Sequence, residues 1–342
     1  MSETPSVVVL GDMRDLHHHG CEAVIAQIRS GLADVGLTAS KWVAGLDWTA
    51  TEAECRSADL VLINGEGALH DSRPAIASIL SLAEARRAVG KPTALINSSW
   101  FRNDFELTRR LQSFDLISVR DPQSRKELAR HGINCRLVPD LAVAQALQWR
   151  GQNPSPVAAG FMVSDSTKPD LTAQLRQLAS AREWRYLPVL ARPTEQRPGA
   201  KSRKIHRRIR WAQRLGPLGK LWLSSRYHAH LVGLPTLEAY CAALAATRGV
   251  VTGRFHTVCL ALGLEVPFLA VASNTPKIES LLTAAGLDPR RRMIVPEALA
   301  TLESVPAYDD NERLALRQFA DEVKIGRRDL FIALHALAHH ST

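Results

Sequence analysis

The chain has 342 residues, of which 46% are hydrophobic, and a formal charge of +9. That length accommodates two domains of ordinary size, and no apolar run approaches the roughly 20 residues that a membrane span needs. Five scattered cysteines with no Cys-x-x-Cys pair argue for reduced thiols and against a disulfide framework or structural zinc.

The first residues, MSETPSVVVLGD, contain neither a basic region nor a long apolar stretch, so no signal peptide is read and a cytoplasmic location is expected. The run Ser6–Leu10 reads as a buried strand, and Cys21–Leu37 carries Val24, Ile25, Ile28, Leu32 and Val35 at helical spacing. Strand-like runs follow at Asp59–Asn64, Thr93–Asn97, Leu116–Arg120 and Cys135–Pro139. Helical patterns alternate with them at Pro74–Val89 and Gln123–His131, the latter with Asp121 as cap. The polar, turn-rich residues 148–156 suggest a domain boundary. Strands are then expected at Val157–Val163, Tyr186–Leu190, Gly249–Thr252, Pro267–Ala272 and Met293–Val295. Helices are expected at Leu171–Arg182, Leu237–Ala246, His256–Leu264, Pro276–Ala285 and Asn311–Ala338. Such alternation predicts an α/β protein with two Rossmann-like doubly wound domains facing a cleft. The division predicted is 1–150, then 151–310 with a basic insertion at about 192–228, then a C-terminal helix 311–342.

The charge is concentrated in that insertion. Between Arg197 and Arg226 there are ten Lys and Arg and no Asp or Glu. Subtracting those ten from nine leaves the rest of the chain at about −1. The arginines are interleaved with Trp211, Leu215, Leu218, Leu221, Trp222 and Leu223, a mixture that suits an anionic membrane surface or an acidic glycan. No nucleic-acid motif accompanies them, so nucleic acid is not the expected partner.

In doubly wound folds, ligands bind where strands end and helices begin. Four such junctions carry polar groups here. The first runs Gly11-Asp12 through His17-His18-His19-Gly20-Cys21. Adjacent side chains diverge, so the three histidines suggest a solvated loop with one ring turned to the cleft, and no metal is expected. The second is Asn64-Gly65-Glu66-Gly67 with His70, where glycines allow tight turns and Glu66 or His70 could exchange protons. The third is Ser118-Val119-Arg120-Asp121. An arginine ending an apolar strand must pair, with Asp121 or Asp140, or face the cleft.

The fourth is Gly253-Arg254-Phe255-His256, opening a buried helix. Residues two apart in an extended segment can face one way, so Arg254 and His256 could converge on one anionic group. Downstream, Ser273-Asn274 and Lys277 repeat the design. A lysine at a helix N-terminus is unfavourable unless an anion is near.

These motifs, taken in order from residue 6 to about 285, resemble the polysaccharide pyruvyl transferase family. The resemblance implies two GT-B-like domains and transfer of the enolpyruvyl unit of phosphoenolpyruvate onto two sugar hydroxyls, closing a ketal. No cofactor is implied beyond phosphoenolpyruvate as co-substrate. Arg254 and His256 match the family's Arg-x-His motif. The chain departs from the family pattern in reading Gly-Glu-Gly at 65–67, in its histidine cluster and in its basic insertion. The resulting expectations make His256 the general acid and Arg254 a donor clamp, with Glu66 or His70 as base. Donor contacts are expected from Arg120, Lys277, Gly11, Gly65, Gly67, Ser273 and Asn274, and acceptor contacts from Asp12, His18 and His19.

The expected acceptor is a bacterial surface glycan or its lipid-linked precursor, met at the inner face of the membrane. Two competing readings are a GT-B glycosyltransferase with a nucleotide-sugar donor and a non-catalytic glycan- or nucleic-acid-binding protein.

Overall fold

A computed structural model of the protein describes residues 4–151, 160–192, 200–273 and 275–339. Two compact units divide the chain. One comprises Met1–Met13, Ile25–Leu141 and Asp321–Thr342, and the other Arg14–Val24 and Ala142–Ala320. The sequence suggested a change of domain near residue 150; the chain instead passes between units after Met13, Val24, Leu141 and Ala320.

The first unit is built on a six-stranded sheet in the order β2-β1-β3-β4-β5-β6, parallel throughout. The strands are β1 Ser6–Asp12, β2 Thr38–Ala44, β3 Leu60–Asn64, β4 Thr93–Ser98, β5 Leu116–Val119 and β6 Arg136–Leu137. Val7–Leu10, Leu60–Ile63 and Ala94–Ile96 are all buried. A parallel sheet with both faces covered requires such uninterrupted apolar runs, which is why the sequence displays them. β2 escapes sequence reading because it is an edge strand: of its seven residues only Val43 is buried.

The second unit carries a four-stranded parallel sheet, β10-β9-β7-β8. Its strands are β7 Met162–Ser166, β8 Arg185–Tyr186, β9 Val250–Gly253 and β10 Phe268–Ala270. Residues 157–159 of the expected strand Val157–Val163 lie outside the described residues. The expected strand Met293–Val295 is reduced to one bridge, Ala270 to Met293, because the chain turns at Pro296 into a 3-10 helix. The strand expected at Tyr186–Leu190 keeps only its first residue in β8.

The helix Phe255–Leu264 packs among these strands with nine of its ten residues buried, and His256 is the exception. The basic segment, for which the sequence offered no fold, forms two helices, Ala200–Gln213 and Gly216–Val232. Among the described residues no helix is long and apolar enough to cross a membrane.

Candidate active site

In the second unit, β9 ends at Gly253 and the next helix begins at Phe255. Gly253 sits between the strand and the helix with a negative φ. It is needed for proximity, since a Cβ there would stand 2.6 Å from the Ser166 side chain at the end of the neighbouring β7. Arg254 occupies the N-cap in an extended conformation, and its amide donates to Thr252 Oγ1 at 3.0 Å. Its guanidinium reaches across to β7, where Nε donates to Asp165 Oδ2 at 2.7 Å and a terminal nitrogen stands 2.5 Å from the same oxygen. Asp165 is 2% exposed, and its other oxygen accepts the Val189 amide at 3.0 Å. A buried carboxylate thus fixes one edge of a guanidinium that is itself 18% exposed at the side chain. Sequence reading missed Asp165, because one aspartate inside Met162–Ser166 looks like any polar strand end.

His256 follows in the first turn of that helix. The start of the helix His19–Asp34 lies against it so closely that a Cβ at Gly20 would fall 2.2 Å from His256 Cβ. Glycine at 20 is therefore required by this approach. His18 meets His256 edge to face with ring centroids 5.1 Å apart. The three consecutive histidines diverge as adjacent residues must: His17 packs on His230 and His19 stacks on Tyr240 at 4.9 Å. The solvated loop expected for them is corrected, since His17 and His19 are completely buried. His19 also bonds Glu22 through Nδ1 at 2.9 Å.

Burial, the neighbouring His256 and Arg254 together hold the His18 pKa well below the ordinary histidine range. His18 is therefore neutral at pH 7. Its Nδ1 accepts the Gly20 amide at 3.1 Å, which places the ring proton on Nε2.

Folding also produces a grouping that the sequence did not show. Ligand atoms of His18, Cys21 and His256 lie within 4.8 Å of one another, a set of the type that takes a soft divalent ion. The Gly20 amide stands against metal at His18 Nε2, because a neutral imidazole bound there carries its proton on Nδ1.

Lys277 is the first residue of the helix Lys277–Ala284, with Nζ 5.6 Å from the Phe255 ring centroid. Ser273 is buried in the preceding loop, and Asn274 lies outside the described residues.

The other expected site residues fall in the first unit. Gly11 has φ +85°, and a Cβ there would stand 2.3 Å from the Asn64 carbonyl oxygen. Asp12, at the end of β1, is 7% exposed. Gly67 takes φ +67°, while Gly65 serves close packing: a Cβ there would meet Ser98 Cβ at 2.7 Å. Glu66 is 5% exposed, with Asn64 Nδ2 3.5 Å from its Oε2.

His70 is bonded through Nδ1 to Asp71 at 2.6 Å, and Asp71 also pairs with Arg102. Arg120 is 3% exposed. It pairs with fully buried Asp140 at 2.5 Å and donates to Ser99 Oγ at 2.9 Å. Of the alternatives left by the sequence, pairing with Asp140 is realised.

The model of the polysaccharide pyruvyl transferase family matches residues 18–275. No functionally curated protein matches the chain. Among solved structures, the UDP-GlcNAc 2-epimerase of Methanocaldococcus jannaschii is similar at 9% identity and TM-score 0.50, over 96% of this chain and 99% of that one. MnaA of S. aureus in its UDP co-structure gives 9% and 0.48, over 94% and 96%. An α-glucosyltransferase in complex with UDP gives 7% and 0.44, over 99% and 96%. At such identities the first likeness shows the fold alone, which is of the GT-B type with two Rossmann-like sets of strands.

Proposed function

The chain belongs to the polysaccharide pyruvyl transferase family, and from that premise we propose that it moves the enolpyruvyl group of phosphoenolpyruvate onto two hydroxyls of an acceptor glycan to close a pyruvate ketal. The observation that carries this reading is the junction at Arg254 and His256. A carboxylate-fixed guanidinium and an imidazole share one helix start, with Lys277 heading a neighbouring helix. The same arrangement of charge suits a small anion bearing both a carboxylate and a phosphate.

The chemistry assigns a task to each group. His256 delivers a proton to the methylene carbon of the enol as the first hydroxyl oxygen bonds to the adjacent carbon. That carbon develops oxocarbenium character when phosphate leaves, and the second hydroxyl oxygen then closes the ketal. Of the two hydroxyl protons released, one balances the proton given to carbon and the other leaves with phosphate. Arg254 holds the donor through the edge of its guanidinium that Asp165 does not occupy, and Lys277 adds positive charge against the departing phosphate. His18, neutral and fixed in one tautomer, adds no further positive charge beside His256. Glu66 is kept as the proposed base, and His70, already engaged by Asp71, is the weaker candidate.

Thermal unfolding with phosphoenolpyruvate, and in parallel with nucleotides and nucleotide sugars, tests the donor. Phosphoenolpyruvate alone should stabilise the wild type, by about 2.7 kcal/mol at a hundredfold excess over Kd. Arg254→Ala should abolish the effect. Stabilisation by a nucleotide sugar instead would transfer the protein to the glycosyltransferases. His256→Ala should leave phosphoenolpyruvate binding in place while lowering turnover roughly 10²–10⁴-fold. Undiminished turnover would remove His256 from the mechanism.

A further inference from the structure

The helices Ala200–Gln213 and Gly216–Val232 form a hairpin with a small core of its own, in which Ile209 and Ala212 are buried and Ile205 and Leu231 pack against them. Two glycines make the turn compact. Gly216 takes φ +61°, and a Cβ at Gly219 would stand 1.8 Å from the Ala212 carbonyl oxygen, so only glycine permits the helices to approach there.

The root of the hairpin is anchored. His230 Nδ1 bonds the Ala191 carbonyl at 3.1 Å, and the Arg192 amide donates to Leu234. The tip is different. Trp211 is 58% exposed, Leu215 47%, Leu218 79% and Trp222 38%, all within twelve residues around the turn. Inward-facing positions were available to apolar side chains, and Ile209 and Ala212 use them, so these four are not surplus core. Exposed cations surround them: Arg203, Lys204, Arg207, Arg208, Arg210 and Arg214. From Ala200 to Gly233 there is no acidic residue.

We propose that this hairpin tip is a docking surface for an anionic lipid bilayer. Exposed tryptophan and leucine on a compact turn, ringed by arginines and free of carboxylates, match a surface with an apolar interior and negative headgroups. A soluble acidic polysaccharide would satisfy the arginines but leave Leu218 and Trp211 in water. An apolar protein partner would satisfy the leucines but give no reason for the absence of acidic residues. Tryptophan also suits the headgroup level, where an apolar ring body and a polar N–H each find a partner. The proposal is independent of the donor and acceptor chemistry argued above.

Flotation of the full chain with lipid vesicles tests it. The wild type should float with phosphatidylcholine vesicles containing phosphatidylglycerol and stay behind with pure phosphatidylcholine. The double variant Trp211→Ser, Leu218→Ser should lower the partition coefficient roughly tenfold or more, on the scale of losing two large apolar anchors. Arg203→Gln, Lys204→Gln, Arg207→Gln, Arg214→Gln should abolish the preference for anionic vesicles. Both variants change exposed side chains, so their circular dichroism and melting should match the wild type. A single Leu218→Asp change provides a second test of the apolar contact should the double variant melt early.

Absence of flotation would overturn the proposal, as would flotation unaffected by the Trp211 and Leu218 changes. Retention on a soluble acidic polysaccharide that the apolar changes leave intact, without vesicle binding, would assign the basic patch to glycan and overturn it too.

Discussion

A guanidinium held along one edge has a single orientation, and in this chain Asp165 supplies the hold. Its two oxygens are divided between Arg254 and the Val189 amide, so the carboxylate cannot swing away with its partner. Asp165→Asn keeps the shape and the backbone bond but loses the ion pair. Arg254 should then sample other rotamers, raising KM for the donor proposed above and lowering kcat/KM by about 10²-fold, the usual cost of a misplaced positioning group. Unaltered KM would mean that Arg254 is oriented by something else. Arg254 and His256 were legible because two polar residues of alternating placement interrupt an apolar strand-to-helix junction. Asp165 was not, because its meaning depends on β7 lying beside β9, a pairing between residues about ninety positions apart. Gly20 was visible as part of the first strand-to-helix junction, yet its reason, the His256 ring lying against it, exists only in the folded chain. Arg120 was read with pairing as one alternative, and the pair with Asp140 is the one that forms.

Elements are joined by groups that pattern reading treats as surface. Arg86 sits in the last turn of the helix Pro74–Arg87, a position at which an arginine is ordinarily solvated. Here it is 1% exposed and donates to the carbonyls of Cys55, Ala58 and Pro92 and to Thr93 Oγ1. Those acceptors lie at the approaches to β3 and β4, so one side chain ties a helix to the entry points of two central strands. Burial pulls its pKa down to about 10, which leaves it charged at neutral pH. Arg86→Met should orphan these carbonyls and lower stability by about 3 kcal/mol, measured by urea unfolding. Arg86→Lys should recover only part, since an ammonium lacks the planar fork that spans three carbonyls. A loss under about 1 kcal/mol for methionine would show that water takes over the acceptors. The central strands were legible because burial on both faces forces apolar runs. β2 and the basic hairpin were not, because an edge strand and an exposed helix pair are governed by what they avoid burying.

At the scale of the whole molecule, a formal charge of +9 suggests a basic protein, yet ten of the cations fall in one window without a single carboxylate. What a charged surface meets first is the local field, so the patch should govern adsorption more than the total does. Two quadruple variants separate the two ideas. Arg203→Gln, Lys204→Gln, Arg207→Gln, Arg214→Gln removes four charges from the hairpin. Arg56→Gln, Arg109→Gln, Arg130→Gln, Arg313→Gln removes four from exposed arginines that each face a carboxylate, on Glu52, Glu106, Glu127 and Asp310. Both proteins have the same formal charge, four below the wild type. The arginines of the second set already have their fields largely cancelled by neighbours and by solvent, and exposed pairs of this kind contribute about 0–1 kcal/mol each to stability. Cation-exchange chromatography at pH 7.5 should therefore find the first variant eluting at clearly lower salt than the wild type and the second close to it. Co-elution of the two variants would mean that total charge, not its placement, sets the behaviour, and the hairpin would lose its standing as a separate electrostatic surface.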